Sequence, residues 1–297
     1  MDSQYLFTIV IPTHNRADDL KRCLNSLANQ TYKNFEVLVC DDGSTDHTKD
    51  IVESFRDNLS LKYFYNENTG GPAGPRNIGI ENSQADWICF LDSDDWYTEN
   101  RLEFLSKLNL DEFDFLYHDL NVIQNGKVIR INTSRILKEK NPYKDLLCNL
   151  NAIPTSSTFI RKSFLLEAKG FSTNKAIIGL EDYHLWIRVA KLKARFRYLP
   201  KALGFYFIGD DNLTLHDQRQ IDRFKALYSE FIEQSDNAHF KSKIIAALNY
   251  QTGWILVNNS EPKRAFGSLL KSLSYGSIPI KMRSINMLLK GIKKVIK

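Results

Sequence analysis

The sequence lacks two features that would each restrict the class of protein. No apolar run approaches the ~20 residues that a membrane-spanning helix needs, and no signal-peptide pattern precedes the first strand. The four cysteines are scattered without a CxxC pair, which favours reduced core cysteines over a disulfide scaffold. The hydrophobic fraction of 43% and charged fraction of 25% are ordinary for a globular protein. We therefore expect a cytoplasmic globular protein.

Acidic residues are missing from the last part of the chain. Pro262 to Lys297 contains nine lysines or arginines and no aspartate or glutamate, so this tail carries +9 and the preceding residues carry −4 of the net +5. That asymmetry indicates an anionic partner for the tail. Within residues 279–297, apolar positions that share a helix face alternate with lysines; the apolar set is Ile285, Leu288, Leu289, Ile292 and Ile296.

This tail has the composition of a helix that lies on an anionic membrane surface, which would make the protein peripheral on the inner face of the cell membrane. Packing of the helix on the protein with a solvated basic rim is the alternative, and the helical segment could equally form a homodimer. Nucleic acid is not an expected partner, because the main body is acidic and no recognition motif is present.

Strand-like and helix-like segments alternate four times in the first ~95 residues, which predicts an α/β fold with a mostly parallel sheet and helices on both faces. We expect Pro12 to end the first strand. Asn125-Gly126 predicts a hairpin with a type I′ turn. From about Asp217 the composition is helical, with breaks near Asp236, Glu261 and Ser277. We therefore divide the chain into an α/β domain over residues 1–214 and a helical C-terminal segment over residues 215–297.

One stretch after the fourth predicted strand carries an electrostatic conflict. The mostly apolar run Ala85–Leu91 ends in Asp92, Asp94 and Asp95, three carboxylates within four residues. Like charges raise each other's pKa unless a cation lies between them, and Mg²⁺ is usually held by one or two carboxylates plus substrate phosphates. Open α/β sheets also bind ligands beyond the carboxyl ends of strands. The alternative is an acidic loop that caps the next helix through Asp95 or Thr98.

Four blocks in order resemble the inverting glycosyltransferases of family 2, which have the GT-A fold. They are Thr8–Asn15 (TIVIPTHN), Asn29–Asp46 (NQTYKNFEVLVCDDGSTD), Gly74–Gly79 (GPRNIG) and Phe90–Trp96 (FLDSDDW). A fifth block, Gly179–Tyr183 (GLEDY), resembles the ED motif that supplies the catalytic base in that family. The resemblance covers about residues 6 to 210 and leaves out the helical tail.

The resemblance implies a GT-A fold, with a Rossmann-like, mostly parallel central sheet. It also implies an inverting, metal-dependent transfer from a nucleotide sugar, with a uridine diphosphate sugar favoured. The acceptor would be a hydroxyl of a glycan or lipid-linked glycan of the bacterial polysaccharide type. Two alternatives stay open: a nucleotide-sugar-binding or scaffold protein of the same fold without activity, and a DxD phosphohydrolase. Phosphohydrolases of this kind usually carry the acidic pair after the first strand of the domain. Three predicted strands precede the pair here, so the phosphohydrolase is disfavoured.

The resemblance places one set of residues where the nucleobase binds, with the His14 imidazole stacking in place of an aromatic ring: Pro12, Thr13, His14 and Asn15. The alternative is that His14 and Asn15 only cap the following helix. Asp42 would accept a hydrogen bond from the uracil N–H, since a carboxylate cannot donate one. Its alternative is an Asp-Gly turn in which Ser44 or Thr45 caps the next helix.

The resemblance also assigns the charged residues near the diphosphate. Arg76 would contact the base or diphosphate, unless it is a solvated surface residue. Asp92 would lie by the ribose beside Ser93, and Asp94, together with Asp92, would hold Mn²⁺ or Mg²⁺. The two residues that end the block, Asp95 and Trp96, would face the donor sugar or the acceptor.

The ED block implies the catalytic base. Asp182 would remove the proton of the acceptor hydroxyl as its oxygen attacks the anomeric carbon opposite the leaving diphosphate, which inverts that centre. Glu181 would orient Asp182, or would only favour the helix N-terminus through the helix dipole. Many relatives carry a histidine or basic residue after a strand such as Phe205–Phe207, but Ile208–Asn212 has none. His216 could substitute, although a surface histidine is the simpler interpretation.

Overall fold

The computed structural model describes residues 4–138, 140–209 and 217–296, and these form two compact units. The sheet unit contains all the strands and comprises residues 4–138, 140, 152–173 and 188–209. The helical unit comprises residues 141–151, 174–187 and 217–296. Two segments that precede the predicted boundary at residue 214 thus group with the C-terminal helices. Among the described residues, no helix is both long and apolar enough to span a bilayer.

The strands are β1 (Phe7–Thr13), β2 (Phe35–Asp41), β3 (Leu61–Tyr65), β4 (Trp87–Phe90), β5 (Trp96–Tyr97), β6 (Phe115–Gln124), β7 (Lys127–Asn132), β8 (Thr158–Arg161) and β9 (Phe196–Phe207). The helices are α1 (Ala17–Ala28), α2 (Thr48–Glu53), α3 (Ala73–Asn82), α4 (Arg101–Ser106), α5 (Pro142–Asn149), α6 (Lys162–Glu167), α7 (Glu181–Lys191), α8 (Gln218–Glu233), α9 (Ala238–Asn258), α10 (Pro262–Tyr275) and α11 (Ile278–Ile296).

The sheet has the strand order β3-β2-β1-β4-β8-β6-β9-β5, with β7 paired to β6. The first four strands are parallel, as the alternation of elements predicts. From β8 onward the sheet is mixed, because β8 runs antiparallel to both β4 and β6 while β9 runs parallel to β6. Every residue of β1, β2 and β4 is buried, which is usual for central parallel strands covered on both faces. The predicted α/β fold class is confirmed.

The prediction that Pro12 ends the first strand is wrong, because β1 continues through Pro12 to Thr13. The Val10 carbonyl accepts from the Leu91 N–H on the β4 side, and the Thr13 carbonyl accepts from the Asp42 N–H on the β2 side. By alternation, the Pro12 nitrogen points toward β4. The β1–β4 pairing ends at Val10, so the missing N–H of Pro12 interrupts no ladder.

Two local predictions from turn and breaker residues are confirmed. Asn125 (φ 50°) and Gly126 (φ 73°) both have the positive φ of a type I′ turn and connect β6 to β7. The helical C-terminal part divides into α8, α9, α10 and α11 at the predicted breaks. The expected strand at Phe205–Phe207 is the last part of a longer strand, β9, which begins at Phe196.

Candidate functional site

The loop Asp92–Asp95, called here the carboxylate loop, follows β4 at the carboxyl edge of the parallel strands. The Asp92 carbonyl accepts a hydrogen bond from the Asp95 N–H at 3.0 Å, and the Asp92 N–H donates to Ser156 Oγ at 3.1 Å. The buried Asp95 accepts a hydrogen bond on Oδ1 from the backbone N–H of Phe207 at 2.9 Å. Asp95 therefore ties the loop to β9. Neither Asp95 nor Thr98 occupies the N-cap position of α4, which is Asn100, so the helix-cap alternative is wrong.

Two arginines pair with the carboxylate loop. Arg76 Nη2 lies 2.6 Å from Asp92 Oδ1, and Arg16 Nη1 forms an ion pair with Asp94 Oδ2. Arg76 is only 4% exposed and its guanidinium lies 5.1 Å from the centre of the Phe171 ring. The alternative of a solvated surface arginine is therefore wrong for Arg76. Sequence reasoning missed Arg16.

The carboxylates retain part of the predicted conflict. Burial raises the pKa of Asp94, the charge of Asp92 raises it further, and the Arg16 guanidinium opposes both effects. Burial also raises the pKa of Asp95 well above its usual range, with repulsion from Asp94 and then Asp92 adding to the rise. Ionising all three carboxylates of this loop together is therefore unfavourable, and a bound cation would reduce that cost.

The donor atoms present allow a test of the metal prediction. Within the described residues, no group of three or more histidine, cysteine or acidic side chains could hold a metal ion. Asp92 and Asp94 offer hard carboxylate oxygens, and both are paired with arginine. Two carboxylates fit a Mg²⁺-type or Mn²⁺-type site only when oxygens from elsewhere, such as substrate phosphates, complete it.

Asp42, at the end of β2, organises the glycine-rich loop before α3. It is buried, and its Oδ1 accepts hydrogen bonds from the Thr69 N–H at 2.7 Å and from Thr69 Oγ1 at 2.8 Å. Its Oδ2 accepts one longer hydrogen bond, from the Gly71 N–H at 3.3 Å. Neither Ser44 nor Thr45 caps α2; the N–H of Thr48 is bound at 3.1 Å by Asp46.

Asn15 does not cap the first helix, which corrects the sequence prediction. The helix α1 begins at Ala17, and the Ala17 N–H donates to Asp46 Oδ2 at 3.0 Å. Asn15 has a left-handed backbone (φ 50°), and its Oδ1 accepts from the Thr45 N–H at 2.8 Å. That conformation directs the amide toward the loop after β2. The pKa of Asp46 falls, because hydrogen bonds from Thr48 and Ala17 outweigh the opposing effect of burial.

The remaining residues of the predicted base-binding set lie at the end of β1. Pro12 and Thr13 are buried, whereas His14 is exposed. The His14 Nε2 atom lies 3.2 Å from Asn15 Nδ2 and 3.3 Å from Asn68 Nδ2. The imidazole is therefore accessible and held between two amides, a position that leaves it able to stack on a planar group.

Trp96 belongs to the packing beside the carboxylate loop, and the preceding Ser93 is buried. The Trp96 ring stacks on Phe205 with centroids 5.2 Å apart and an interplanar angle of 18°. The Arg22 guanidinium lies 4.7 Å from the centres of both the Trp96 and the Phe207 rings, and its Nη2 donates to the Asp94 carbonyl at 2.8 Å. Arg22 thus links the carboxylate loop to the two aromatic rings. Sequence reasoning missed Arg22.

Glu181 and Asp182 belong to the helical unit, where they are the first two residues of α7. The buried Glu181 accepts on Oε2 from the Gly179 N–H at 2.6 Å, which fixes the turn at Gly179 (φ 78°). The half-buried Asp182 lines a cavity of about 360 Å³ within this unit. Both carboxylates lie where the helix dipole favours negative charge. Most of the predicted departure after Ile208, and His216, lie outside the described residues.

Some of the missed residues left a sequence signal. Arg16 directly follows the block that ends at Asn15, and β1 and β4 are adjacent parallel strands whose carboxyl ends share one edge. That adjacency places Arg16 beside the carboxylate loop. Ser156 left no such signal, because it reaches Asp92 from 64 residues away along the chain.

Comparison with known proteins identifies the family. The sequence model described as glycosyl transferase family 2 matches residues 8–169. The chain is 32% identical over 190 residues, 63% of this chain and 70% of the relative, to the UDP-Glc:alpha-D-GlcNAc-diphosphoundecaprenol beta-1,3-glucosyltransferase WfgD of Escherichia coli. It is 29% identical over 241 residues, 80% of this chain and 76% of the relative, to the GalNAc(5)-diNAcBac-PP-undecaprenol beta-1,3-glucosyltransferase of Campylobacter jejuni.

The fold also matches solved structures. The crystal structure of S. aureus TarS 1-349 in complex with UDP-GlcNAc superposes with a TM-score of 0.65 at 21% identity, and the match covers 100% of this chain and 92% of that chain. This likeness shows the GT-A fold that the resemblance implied. With the family model and the relatives, it establishes that the chain belongs to glycosyl transferase family 2 and is a glycosyltransferase.

Proposed function

We propose that this glycosyltransferase transfers a sugar from a UDP-sugar donor, with inversion, to a hydroxyl of a glycan or lipid-linked glycan. The observation that carries the proposal is the carboxylate loop, where Asp92 and Asp94 lie with Arg76 and Arg16 at the carboxyl edge of the parallel strands. The names of the WfgD and C. jejuni relatives specify undecaprenol-linked acceptors, and that of WfgD specifies a UDP-glucose donor. TarS was crystallised with UDP-GlcNAc.

The candidate residues would each contact one part of a uridine diphosphate. Within the described part of the chain, Asp42 Oδ2 accepts a single long hydrogen bond, from the Gly71 N–H at 3.3 Å, so it retains capacity to accept the uracil N–H. His14 would stack on the base, and Asp92 would bind the ribose. Arg76 and Arg16 supply permanent positive charge for the diphosphate. Mn²⁺ or Mg²⁺ held by Asp92 and Asp94 would stabilise the negative charge of the leaving nucleoside diphosphate.

Asp182 would act as the general base. In an inverting transfer the acceptor oxygen bonds to the anomeric carbon as the bond to the diphosphate oxygen breaks, and the hydroxyl proton passes to the Asp182 carboxylate. Glu181, held by the Gly179 N–H, would fix the start of α7 and so position Asp182. The carboxylate of Asp182 recovers by losing the proton to water.

Thermal unfolding with UDP, with and without Mn²⁺, tests the donor site. We expect UDP to raise the melting temperature only with Mn²⁺, because binding to the native state stabilises it by mass action. Asp94→Asn should abolish the rise. The exposed Asp50→Asn on α2 is the matched control and should keep it. A full rise without metal would refute the role of the metal, and a rise with other nucleoside diphosphates but not with UDP would refute the uridine donor.

Turnover tests the base and the stereochemistry. Asp182→Asn should lose transfer by a factor of about 100 or more while it keeps the UDP-dependent stabilisation. The anomeric configuration of the new glycosidic bond, read by NMR, should be opposite to that of the donor. A retained configuration or a fully active Asp182→Asn would contradict the mechanism.

We infer that α11 binds an anionic membrane surface. Its buried residues, Ile280, Ser284, Met287 and Gly291, form one stripe. Apolar residues at alternating intervals of four and three form a second stripe on the opposite side: Ile278 (76% exposed), Met282 (63%), Ile285 (48%), Leu289 (55%), Ile292 (44%) and Ile296 (80%). Four of the five predicted apolar residues lie in this exposed stripe, whereas Leu288 is half-buried.

The charge around the exposed stripe favours lipid over a second copy of the chain. At 100° per residue, Lys281 and Lys293 lie on opposite sides of the stripe, and both are exposed. No acidic residue occurs after Glu261, so pairing two such stripes would bring lysines together without carboxylates. Each lysine near anionic lipid contributes about 1 kcal/mol, and the apolar side chains can enter the interface. A peripheral position on the inner face of the cell membrane would also suit a lipid-linked acceptor.

Co-sedimentation with phosphatidylcholine vesicles, with and without phosphatidylglycerol, tests this surface. Wild-type protein should sediment only with the anionic vesicles, and less so at high salt. The double variant Ile285→Ser, Leu289→Ser should stay in the supernatant. The matched control removes two exposed isoleucines of β7, Ile129 (50%) and Ile131 (51%), and should bind as the wild type. A dimer that the α11 variant dissociates in the absence of vesicles would overturn the proposal in favour of the homodimer.

A further inference from the structure

The helical unit contains a cavity of about 360 Å³ whose walls come from three helices and the end of α5. The helix α7 contributes Asp182, α8 contributes Gln220 and Phe224, and α9 contributes Tyr250, Gln251 and Trp254. The volume lies at the small end of the range for small-molecule sites, so it suits one ring-sized group. Most of these walls come from the C-terminal segment that no motif of the sequence covers.

We propose that this cavity binds a neutral pyranose residue of the acceptor, and that α8 and α9 thereby determine acceptor specificity. The proposal rests on the proposed function, since Asp182 is the base assigned there. Aromatic rings offer flat apolar surface for the C–H face of a sugar, and glutamine amides both donate and accept hydrogen bonds, as sugar hydroxyls require. The cavity combines both kinds of group.

The charge of the lining selects the class of ligand. Among the described residues that line the cavity there is no lysine or arginine, so it offers no cation for a phosphate. Two nearby arginines do not line it: Arg223 donates to Gln220 Oε1 at 3.3 Å, and Arg283 donates to the Asn149 carbonyl at 3.3 Å. A nucleoside diphosphate or a phosphorylated polyol is therefore a poor occupant. A neutral sugar with hydroxyls fits the amides, the aromatic rings and the single carboxylate.

The cavity wall is also conformationally constrained. Leu150, at the end of α5, has φ 75° and ψ 168°, a region that only glycine populates readily. Gly179, three residues before Asp182 in the sequence, has φ 78°. Both residues line the cavity. Such backbone strain in a bulky residue persists only where the surroundings hold it, and it clusters at binding sites. We infer from this strain that this part of the wall keeps its shape when no ligand is bound.

Saturation-transfer difference NMR with the methyl glycosides of glucose, galactose and N-acetylglucosamine tests the proposal. We expect ring-proton signals from at least one glycoside with wild-type protein, and the signals should persist with excess UDP and Mn²⁺. Trp254→Ala should lose them. Tyr275→Ala, which removes an exposed aromatic ring (61%) from α10, is the control and should keep them. If Trp254→Ala does not fold, Gln251→Leu at the half-buried neighbouring position tests the same wall.

The outcomes separate this inference from the proposed function. UDP-dependent stabilisation of Trp254→Ala equal to that of the wild type, with the glycoside signals lost, supports a distinct acceptor site. Signals that remain in both cavity variants, signals that UDP displaces, or no signal from any glycoside in a wild-type protein that binds UDP would each overturn the inference alone. A wild-type protein that binds no nucleotide would instead refute the proposed function.

Discussion

The close approach of α3 to β1 gives a sharp prediction, because Gly79 leaves no room for a side chain. A Cβ atom on Gly79 would lie 2.2 Å from Val10 Cγ1 and 2.7 Å from Val10 Cγ2. Overpacking a rigid core costs about 1–3 kcal/mol, and valine has little rotamer freedom to relieve the clash. The higher helix propensity of alanine offsets up to about 1 kcal/mol of this cost. With the cost at its upper end, we expect Gly79→Ala to lose ~2 kcal/mol, or roughly 4–8 °C of melting temperature.

The consequence should reach the donor site, because Arg76 lies one turn before Gly79 on α3. Displacement of α3 would move Arg76 from Asp92 and weaken UDP binding, measurable by titration calorimetry. The control is Gly267→Ala on α10, where a Cβ meets nothing within 4 Å. This variant should be as stable as the wild type or more so. Val10→Ala should restore part of the loss in Gly79→Ala. Equal stability of the two alanine variants would refute the packing argument.

Three further predictions concern buried charges of the sheet unit. Asp95→Asn should raise the stability of the protein at neutral pH, because the native pKa of Asp95 lies above its unfolded value. Below the unfolded pKa there is no cost of ionising Asp95. The difference in melting temperature between the variant and the wild type should therefore grow as pH rises through the native pKa. Burial raises the pKa of Asp114, but hydrogen bonds from Arg195 outweigh it and lower the pKa, so the ionised Asp114 stabilises the protein above the unfolded pKa and this stabilisation is lost as pH falls through the native pKa. The lower melting temperature of Asp114→Asn should therefore return to that of the wild type in acid. A larger deficit in acid would contradict this reasoning. Arg101→Met should lower the free energy of unfolding, measured in urea, by about 1–3 kcal/mol. The reason is that the buried His118 Nε2 atom, 2.9 Å from Arg101 Nε, would lose its hydrogen-bond donor. An unchanged urea midpoint would contradict this prediction.

The positions of the main candidate residues for the donor site could be predicted because these residues follow parallel strands. Asp42 directly follows β2, and the carboxylate loop directly follows β4. Both therefore lie at one edge of the sheet once the strands are known to be parallel. Arg76 was placed by its block alone, and the structure pairs it with Asp92. The roles of these residues toward donor and metal remain predictions that the proposed experiments test.

Hydrogen-bond partners could not be predicted in the same way. Asparagine is a common helix cap, yet the side chain of Asn15 accepts a hydrogen bond from the Thr45 N–H. The Ala17 N–H at the start of α1 donates instead to Asp46, from the loop after β2. Ser156 accepts a hydrogen bond from the Asp92 N–H across 64 residues of sequence. A single sequence holds no signal for such pairs, because their energies depend on which loops meet, and many polar residues could form similar bonds.

The sequence by itself determined the family, the parallel first half of the sheet and the position of its acidic edge, since these depend on local periodicity and on short blocks of residues. The tertiary structure decided the rest. Only folding brings Trp254 and Tyr250 of α9 into one cavity with Asp182 of α7, because helices with buried residues on several sides carry no pattern that specifies their neighbour. Packing over long sequence separation, rather than any motif, therefore shapes the cavity to which we assign the acceptor.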